Sequence, residues 1–178
     1  MKYFEIEDTP ELKYAPRIQD WYGKFDVRDI KLETYPKLPK RQLFMVDPIE
    51  NMVFTDFILY PFLLVTPKVM EVISMYKELC FYRDVILLNQ LKRESQLYYL
   101  PVFNETNELQ VIEKIYEEKM KEPILQAEKR EKVNVSSQIF WVNDSIKRHT
   151  IISLDLAESL LRRGVFGLGI KEVELFRK

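Results

Sequence analysis

Residues 139–164 read IFWVNDSIKRHTIISLDLAESLLRRG, and residues 52–77 share their pattern without a gap, as MVFTDFILYPFLLVTPKVMEVISMYK. In both stretches an apolar triplet is followed by a second apolar run that ends in a hydroxyl residue, Thr66 or Ser153. Such a residue is a good helix N-cap, and the apolar residues after it recur at helical spacing. The two stretches therefore predict two related units, each made of two strands, a helix and a following strand. In the first unit we expect strands from Val53 to Leu59 and from Phe62 to Val65, or one strand interrupted at Pro61.

The rest of the chain alternates short β-prone runs with helical patterns. This alternation predicts an α+β fold with a mostly antiparallel sheet, in a single domain over residues 1–178. Residues 1–41 contain four prolines and several aromatic residues, which predicts an N-terminal arm that wraps the core. We expect residues 42–122 to form the first lobe and residues 123–178 the second.

A third helix is predicted over residues 105–121, and Pro123 would end it. Its apolar residues fall on one side at helical spacing, and charged residues fill the rest. Three of the four glycines, Gly164, Gly167 and Gly169, follow the last predicted helix and precede the last strand. A phosphate-binding loop runs in the opposite order, from a strand into a helix N-terminus. The glycines therefore predict a helix stop and a turn.

Composition limits the function classes. The chain has 178 residues, of which 47% are apolar, and this is enough for a substantial core and too apolar for a disordered protein. Lys plus Arg is 27 and Asp plus Glu is 28, which gives a formal net charge of −1. Affinity for nucleic acid comes mainly from neutralised phosphates, so this balance argues against a dedicated nucleic-acid binder.

The single cysteine and the N-terminus predict a cytoplasmic location. Cys80 has no second cysteine to pair with, and its apolar neighbours favour a buried thiol over a reactive one. The N-terminus is acidic and lacks the apolar core of a signal peptide. The longest apolar stretch is interrupted by Pro61 and is shorter than the roughly 20 residues that cross a bilayer, so we expect no membrane association.

No motif predicts a metal or a cofactor. One histidine and one cysteine cannot supply the usual zinc ligands, and no Asp-rich loop has calcium-ligand spacing. His149 lies in KRHTII, where a solvated turn or strand end is the simplest interpretation. A carboxylate-dependent hydrolase stays open as an alternative, because sequence does not show which acids meet. A module that forms homo-oligomers through strand edges or the aromatic arm is a further alternative.

The arm supplies the candidate partner-binding residues Trp21, Tyr22 and Tyr35. Trp and Tyr are enriched in binding hot spots, although partial burial against the core is the simpler interpretation of Trp21. The basic clusters Lys147-Arg148-His149 and Arg162-Arg163 could meet an acidic partner, but they are also typical of a turn and of a helix C-terminus.

The segments QIFWVND at 138–144 and TIISLDLAESLLRRGVFGLGIKEVEL at 150–175 resemble the closing segment of a large bacterial immunity-protein family of polymorphic-toxin systems. In that family, a strand with an Ile-Phe pair precedes a strand that ends in Ser, a helix, a glycine turn and a final strand. Ile139-Phe140, Ser153 and Gly167 occupy those places here. The resemblance implies a cytoplasmic, non-enzymatic protein without a cofactor that binds and neutralises a toxin. It assigns no toxin-contacting residue.

Overall fold

The computed structural model describes residues 1–9, 14–113, 131–144 and 147–178. Within these ranges the chain forms two α-helices, α1 (Pro67–Ser74) and α2 (Leu154–Arg162), and two short 3-10 turns in the arm. The described strands are β1 (Tyr3–Glu7), β2 (Arg41–Met45), β3 (Phe57–Ile58), β4 (Leu64–Val65), β5 (Cys80–Asn89), β6 (Glu94–Phe103), β7 (Glu105–Thr106), β8 (Leu109–Glu113), β9 (Ile139–Asn143), β10 (Arg148–Ser153) and β11 (Gly169–Arg177).

The strands form two sheets. One has the order β2-β5-β6-β4-β3 and the other the order β7-β9-β10-β1-β11-β8. Neighbouring strands are antiparallel except for β2 with β5 and β7 with β9. The predicted α+β class with mostly antiparallel sheets is therefore confirmed.

The two repeated stretches form the same arrangement, once in each sheet. Helix α1 connects β4 to β5, and β6 lies between those two strands and is antiparallel to both. Helix α2 connects β10 to β11, and β1 takes the corresponding place between them. In both units a further strand, β3 or β9, pairs antiparallel with the strand that precedes the helix.

The first strand of the first unit is shorter than predicted. We expected a strand from Val53 to Leu59, but only Phe57–Ile58 pairs with β4. The preceding backbone bonds elsewhere, because the Val53 N–H donates to the Tyr14 carbonyl of the arm at 2.9 Å. Ladder pairing is thereby replaced by contact with the arm.

Both predicted N-caps begin a helix, but they bond differently. Ser153 Oγ accepts a hydrogen bond from the Leu156 N–H at 3.2 Å, which satisfies one free donor of the first turn of α2. Thr66 makes no such bond and its hydroxyl donates to Asp56 Oδ1 at 2.6 Å. Asp56 Oδ2 also accepts from the Phe166 N–H at 2.8 Å, so the Thr66 end of α1 is tied to the loop after α2.

The predicted helix over residues 105–121 is wrong in its first half. Residues 105–113 form β7 and β8, and the remainder lies outside the described residues. Strand β8 pairs with β11, with Leu109 opposite Arg177 and Glu113 opposite Val173. Leu109 and Val111 alternate onto one core cluster, and this strand pairing overrides the local helical pattern.

The boundaries of the lobes also differ from the sequence-based division. The sheet that contains β9, β10 and β11 also contains β1, which comes from the predicted arm. It contains β7 and β8 as well, which come from the predicted first lobe. The core crosses both sheets, since one cluster joins Phe44 and Tyr98 of the five-stranded sheet to Ile152 of the other and Leu160 of α2. A second cluster, which includes Phe140 and Ile151, covers the opposite face of the six-stranded sheet.

Candidate functional site

The three aromatic residues predicted to bind a partner do not behave alike. Trp21 is half-buried, with its ring 6.3 Å from the Phe62 ring and 5.7 Å from the Tyr22 ring. Tyr22 is 86% exposed, whereas Tyr35 is half-buried. The structure therefore brings Trp21 and Tyr22 into contact, and a role in partner binding stays a prediction for all three.

Tyr35 makes its contacts with β5. Its ring stacks on the Phe81 ring at 4.9 Å, and the Arg83 guanidinium lies 3.9 Å from its centre. Arg83 Nη2 also donates to the Tyr35 carbonyl at 3.2 Å. These contacts fix the arm to the start of β5.

An apolar surface lies on the five-stranded sheet, and we call it the outer face. Side chains alternate along a strand, so the buried Val85 and Leu87 of β5 point to the core and Ile86 points away from it. Leu43 of β2 and Leu97 of β6 lie on either side of Ile86 in the hydrogen-bonded register. The next row places Met45 beside Leu88. The outer face consists of Leu43, Met45, Ile86, Leu88 and Leu97.

Solvent reaches the outer face in the described part of the molecule. Leu43 is 45% exposed, and the other four side chains are partly exposed. Within the described residues, none of the five belongs to either core cluster. Contiguous apolar side chains on a sheet surface mark a contact surface more often than scattered ones do.

Polar and aromatic groups border the outer face on one side. Arg41 Nη2 bonds to Asp84 Oδ2 at 2.9 Å across β2 and β5. Next to this pair, the Tyr82 and Tyr99 rings lie 4.4 Å apart. An apolar centre with aromatic residues and a polar rim is the usual composition of a protein–protein interface.

The free edge of β2 beside this face is blocked by the arm. Lys24 Nζ donates to the Leu43 carbonyl at 2.8 Å, and Asp20 Oδ1 accepts from the Met45 N–H at 3.0 Å. These bonds use backbone groups that could otherwise pair with a strand of another chain. They argue against strand addition at the β2 edge.

A cleft of about 870 Å³ lies beside β1, β9 and β10, where the arm and the segment before α1 cover the six-stranded sheet. Trp141 and Phe62 contribute apolar side chains. The charged residues that line the cleft are four acids and four bases: Glu5, Glu7, Asp8, Asp144, Arg28, Lys31, Lys147 and Arg148.

His149 is the second residue of β10, which agrees with the expected strand end, but it is buried behind this cleft and is not solvated. The ring is 6% exposed, with Nδ1 2.9 Å from Glu5 Oε1 and Nε2 2.7 Å from Asp144 Oδ2. Lys147 Nζ lies 2.6 Å from the same Glu5 oxygen. Each of these groups is held by another, so the cluster ties β1 to the hairpin of β9 and β10. His149 does not line the cleft.

Arg148 anchors a second polar group beside the cleft. Its guanidinium lies 4.4 Å from the centre of the Trp141 ring, donates to the Ile30 carbonyl at 3.1 Å and pairs with Glu105 at 2.9 Å. Burial lowers the pKa of Arg148, and the nearby Glu105 charge works against that shift. The basic pair Lys147-Arg148 is thus bound to acids of this chain.

The structure also locates the other residues that the sequence singled out. Cys80 is half-buried, and burial raises the pKa of its thiol to about 12, which disfavours the reactive thiolate. Gly164 follows α2 with φ of 60°, and Gly167 has φ of 81°, in agreement with a helix stop and a turn. In the residues that the structure describes, no group of three or more His, Cys, Asp or Glu side chains could hold a metal ion. No described helix is long and apolar enough to span a membrane.

The outer face and the buried histidine cluster were missed from sequence. The runs DVILL at 84–88 and LYYLPVF at 97–103 did predict strands, but continuous apolar runs are typical of strands that are buried on both faces. Nothing in the sequence indicated which face would lack a cover. Glu5 gave no local signal, because its partner His149 is close only in the folded chain.

Comparison with known proteins found no matching family model and no matching curated protein.

Proposed function

We propose that this protein is an immunity protein, which binds a cognate bacterial toxin directly and neutralises it without catalysis. The resemblance of the C-terminal segments suggests the class. The observation that carries the proposal is the outer face, an apolar surface across β2, β5 and β6 whose side chains are partly or largely exposed and, among the described residues, belong to neither core cluster.

The outer face has the properties of a docking surface for an apolar patch on the toxin. Burial of apolar surface contributes about 25 cal/mol per Å², so five such side chains offer a substantial driving force. The sheet is rigid because its other face packs in the core through Phe44, Leu87 and Tyr98. A partner therefore finds a preformed surface, and little ordering opposes binding.

The hydrolase alternative has the acid-lined cleft in its favour. A general acid or base must reach its substrate, however, and Glu5 and Asp144 are held by the buried His149. The homo-oligomer alternative has the outer face in its favour, since a second copy could cover it. The experiment below separates self-association from toxin binding.

The test is co-expression with the toxin domain encoded by the adjacent gene. Leu43→Lys places a charge on the outer face. Leu161→Lys is the control and makes the same change on α2. The two leucines have similar exposure, 45% for Leu43 and 51% for Leu161. We expect wild type and Leu161→Lys to protect cells from the toxin. Leu43→Lys should fail to protect them and should bind the purified toxin domain at least about tenfold more weakly, because a buried unpaired charge opposes docking.

Melting curves must show that both variants are folded. Equal protection by both variants would overturn the outer face as the binding surface. Failure of the wild type to protect cells or to bind the domain would overturn the immunity function. If sedimentation shows that wild type is a dimer and Leu43→Lys a monomer, with no binding of the toxin domain, the outer face serves self-association instead.

A further inference from the structure

Strand β2 lies at one edge of the five-stranded sheet, and β5 is its neighbour among the described strands. The Lys40 carbonyl and the Val46 N–H both bond to β5, at 3.2 Å. Successive residues of a strand direct their backbone groups to opposite sides, so Leu43 and Met45 direct theirs away from the sheet. Such outward groups are a template for pairing with a strand of another chain.

The arm occupies part of this edge with its backbone and part with side chains. The Gln19 N–H donates to the Met45 carbonyl at 3.0 Å, as in a strand pair. Beyond Gln19, side chains take over: Asp20 Oδ1 accepts from the Met45 N–H at 3.0 Å, and Lys24 Nζ donates to the Leu43 carbonyl at 2.8 Å. Two charged side chains therefore hold the outward groups in the middle of β2.

The two side chains also hold each other. Lys24 Nζ lies 2.7 Å from Asp20 Oδ2, and Gly23, with φ of 79°, forms the turn that brings Lys24 back to the edge. Burial acts to raise the pKa of Asp20, but the bonds from Lys24 and from the Met45 N–H outweigh burial and lower it. Asp20 is therefore ionised at neutral pH, and charge at a strand edge opposes pairing with another strand.

We propose that the Asp20–Lys24 pair is a guard that keeps the β2 edge from pairing with the β2 edge of a second copy of this chain. Two identical strands that run antiparallel offer each other the same donors and acceptors about a two-fold axis. The Leu43 carbonyl, which Lys24 covers, is one of the acceptors that this pairing needs. The pairing would also place two outer faces side by side on one continuous sheet. This inference goes beyond the proposed function, because it requires no toxin.

Sedimentation equilibrium of the full-length chain tests the guard in the double variant Asp20→Ala/Lys24→Met. Lys24 Nζ lies 5.0 Å from the centre of the Phe44 ring, and methionine keeps an apolar chain there. We expect a monomeric wild type, and a dimer dissociation constant at least about tenfold lower in the double variant, because two backbone groups in each copy become available. The control Asp26→Ala/Arg28→Met removes another ion pair of the arm, at 2.6 Å, and should behave as wild type.

A second pair of substitutions, made in the double variant, locates the contact. Leu43→Pro removes an outward N–H, a change that edge strands tolerate, whereas Leu43→Ala shortens the same side chain and keeps the N–H. We expect the alanine variant to dimerise and the proline variant to stay monomeric. If the double variant is poorly folded in a thermal melt, Lys24→Met alone still frees the Leu43 carbonyl and should dimerise.

Three results would each overturn the guard. The first is a folded double variant that dimerises no more strongly than wild type. The second is a control variant that dimerises as strongly as the double variant, which would show that loss of surface charge suffices. The third is equal dimerisation of the proline and alanine variants, which would place the contact away from the β2 edge.

Discussion

Adjacent leucines of α2 test the packing between the two units. Leu160 is 1% exposed and belongs to the core cluster that joins both sheets, whereas Leu161 is 51% exposed. Leu160→Ala removes the burial energy of a leucine, about 2 kcal/mol, and leaves a cavity, so we expect a loss of about 3 kcal/mol in the free energy of unfolding. Leu161→Ala should change it by less than about 0.5 kcal/mol, because Leu161 is half in solvent and alanine favours helix.

Urea denaturation followed by circular dichroism measures both changes. An unchanged slope of the unfolding free energy against urea concentration would show that the variants expose the same surface area on unfolding as wild type. A loss of 3 kcal/mol corresponds to a fall in Tm of roughly 6–12 °C for a domain of this size. Similar losses in the two variants would refute the helical phase of α2. A loss below about 1 kcal/mol for Leu160→Ala would refute the shared core.

Two further predictions concern close backbone packing and the single thiol. Gly169→Ala should destabilise the protein by about 1–3 kcal/mol in a thermal melt, because a Cβ there would overlap the Glu7 carbonyl oxygen. Gly23→Ala is the matched control: its Cβ meets open space, so it should cost only the strain of its positive φ. The pKa of Cys80, raised from 9.0 to about 12, predicts about 1,000-fold less thiolate at pH 8 than in the urea-unfolded chain and correspondingly slow alkylation by iodoacetamide. The folded state favours the neutral thiol, so the contribution of Cys80 to the free energy of unfolding is complete below the pKa of the unfolded thiol. This contribution is lost as the pH rises above about 9. Equal alkylation rates in the folded and unfolded chains would contradict the raised pKa.

The parts of the fold that local chemistry determines could be predicted from sequence. Thr66 and Ser153 precede apolar residues at helical spacing, and both begin a helix. Gly164 ends α2 because a left-handed residue is needed there. These signals lie within one turn of the residues that they position, so the sequence alone contains them.

The parts that depend on distant partners could not be predicted. Residues 109–113 have an apolar pattern that also fits a helix, and only pairing with β11 selects the strand. His149 looked like a polar residue at a strand end, and only Glu5, from the first strand, shows why it is buried. The outer face was hidden for the same reason, since an exposed and a buried apolar face of a strand have the same sequence pattern.

Strand β1 contributes to the core that supports the outer face from behind. In the first unit, the inserted strand β6 follows β5 along the chain, whereas in the second unit it comes from the N-terminus, where Tyr3 pairs with Ser153 and Val173. The six-stranded sheet therefore needs both ends of the chain, and the five-stranded sheet lies between them in sequence. Since one core cluster also joins both sheets, loss of β1 weakens the packing behind β5 and β6. The rigidity of the outer face thus depends on the whole chain, and a partner that binds there would stabilise both sheets together.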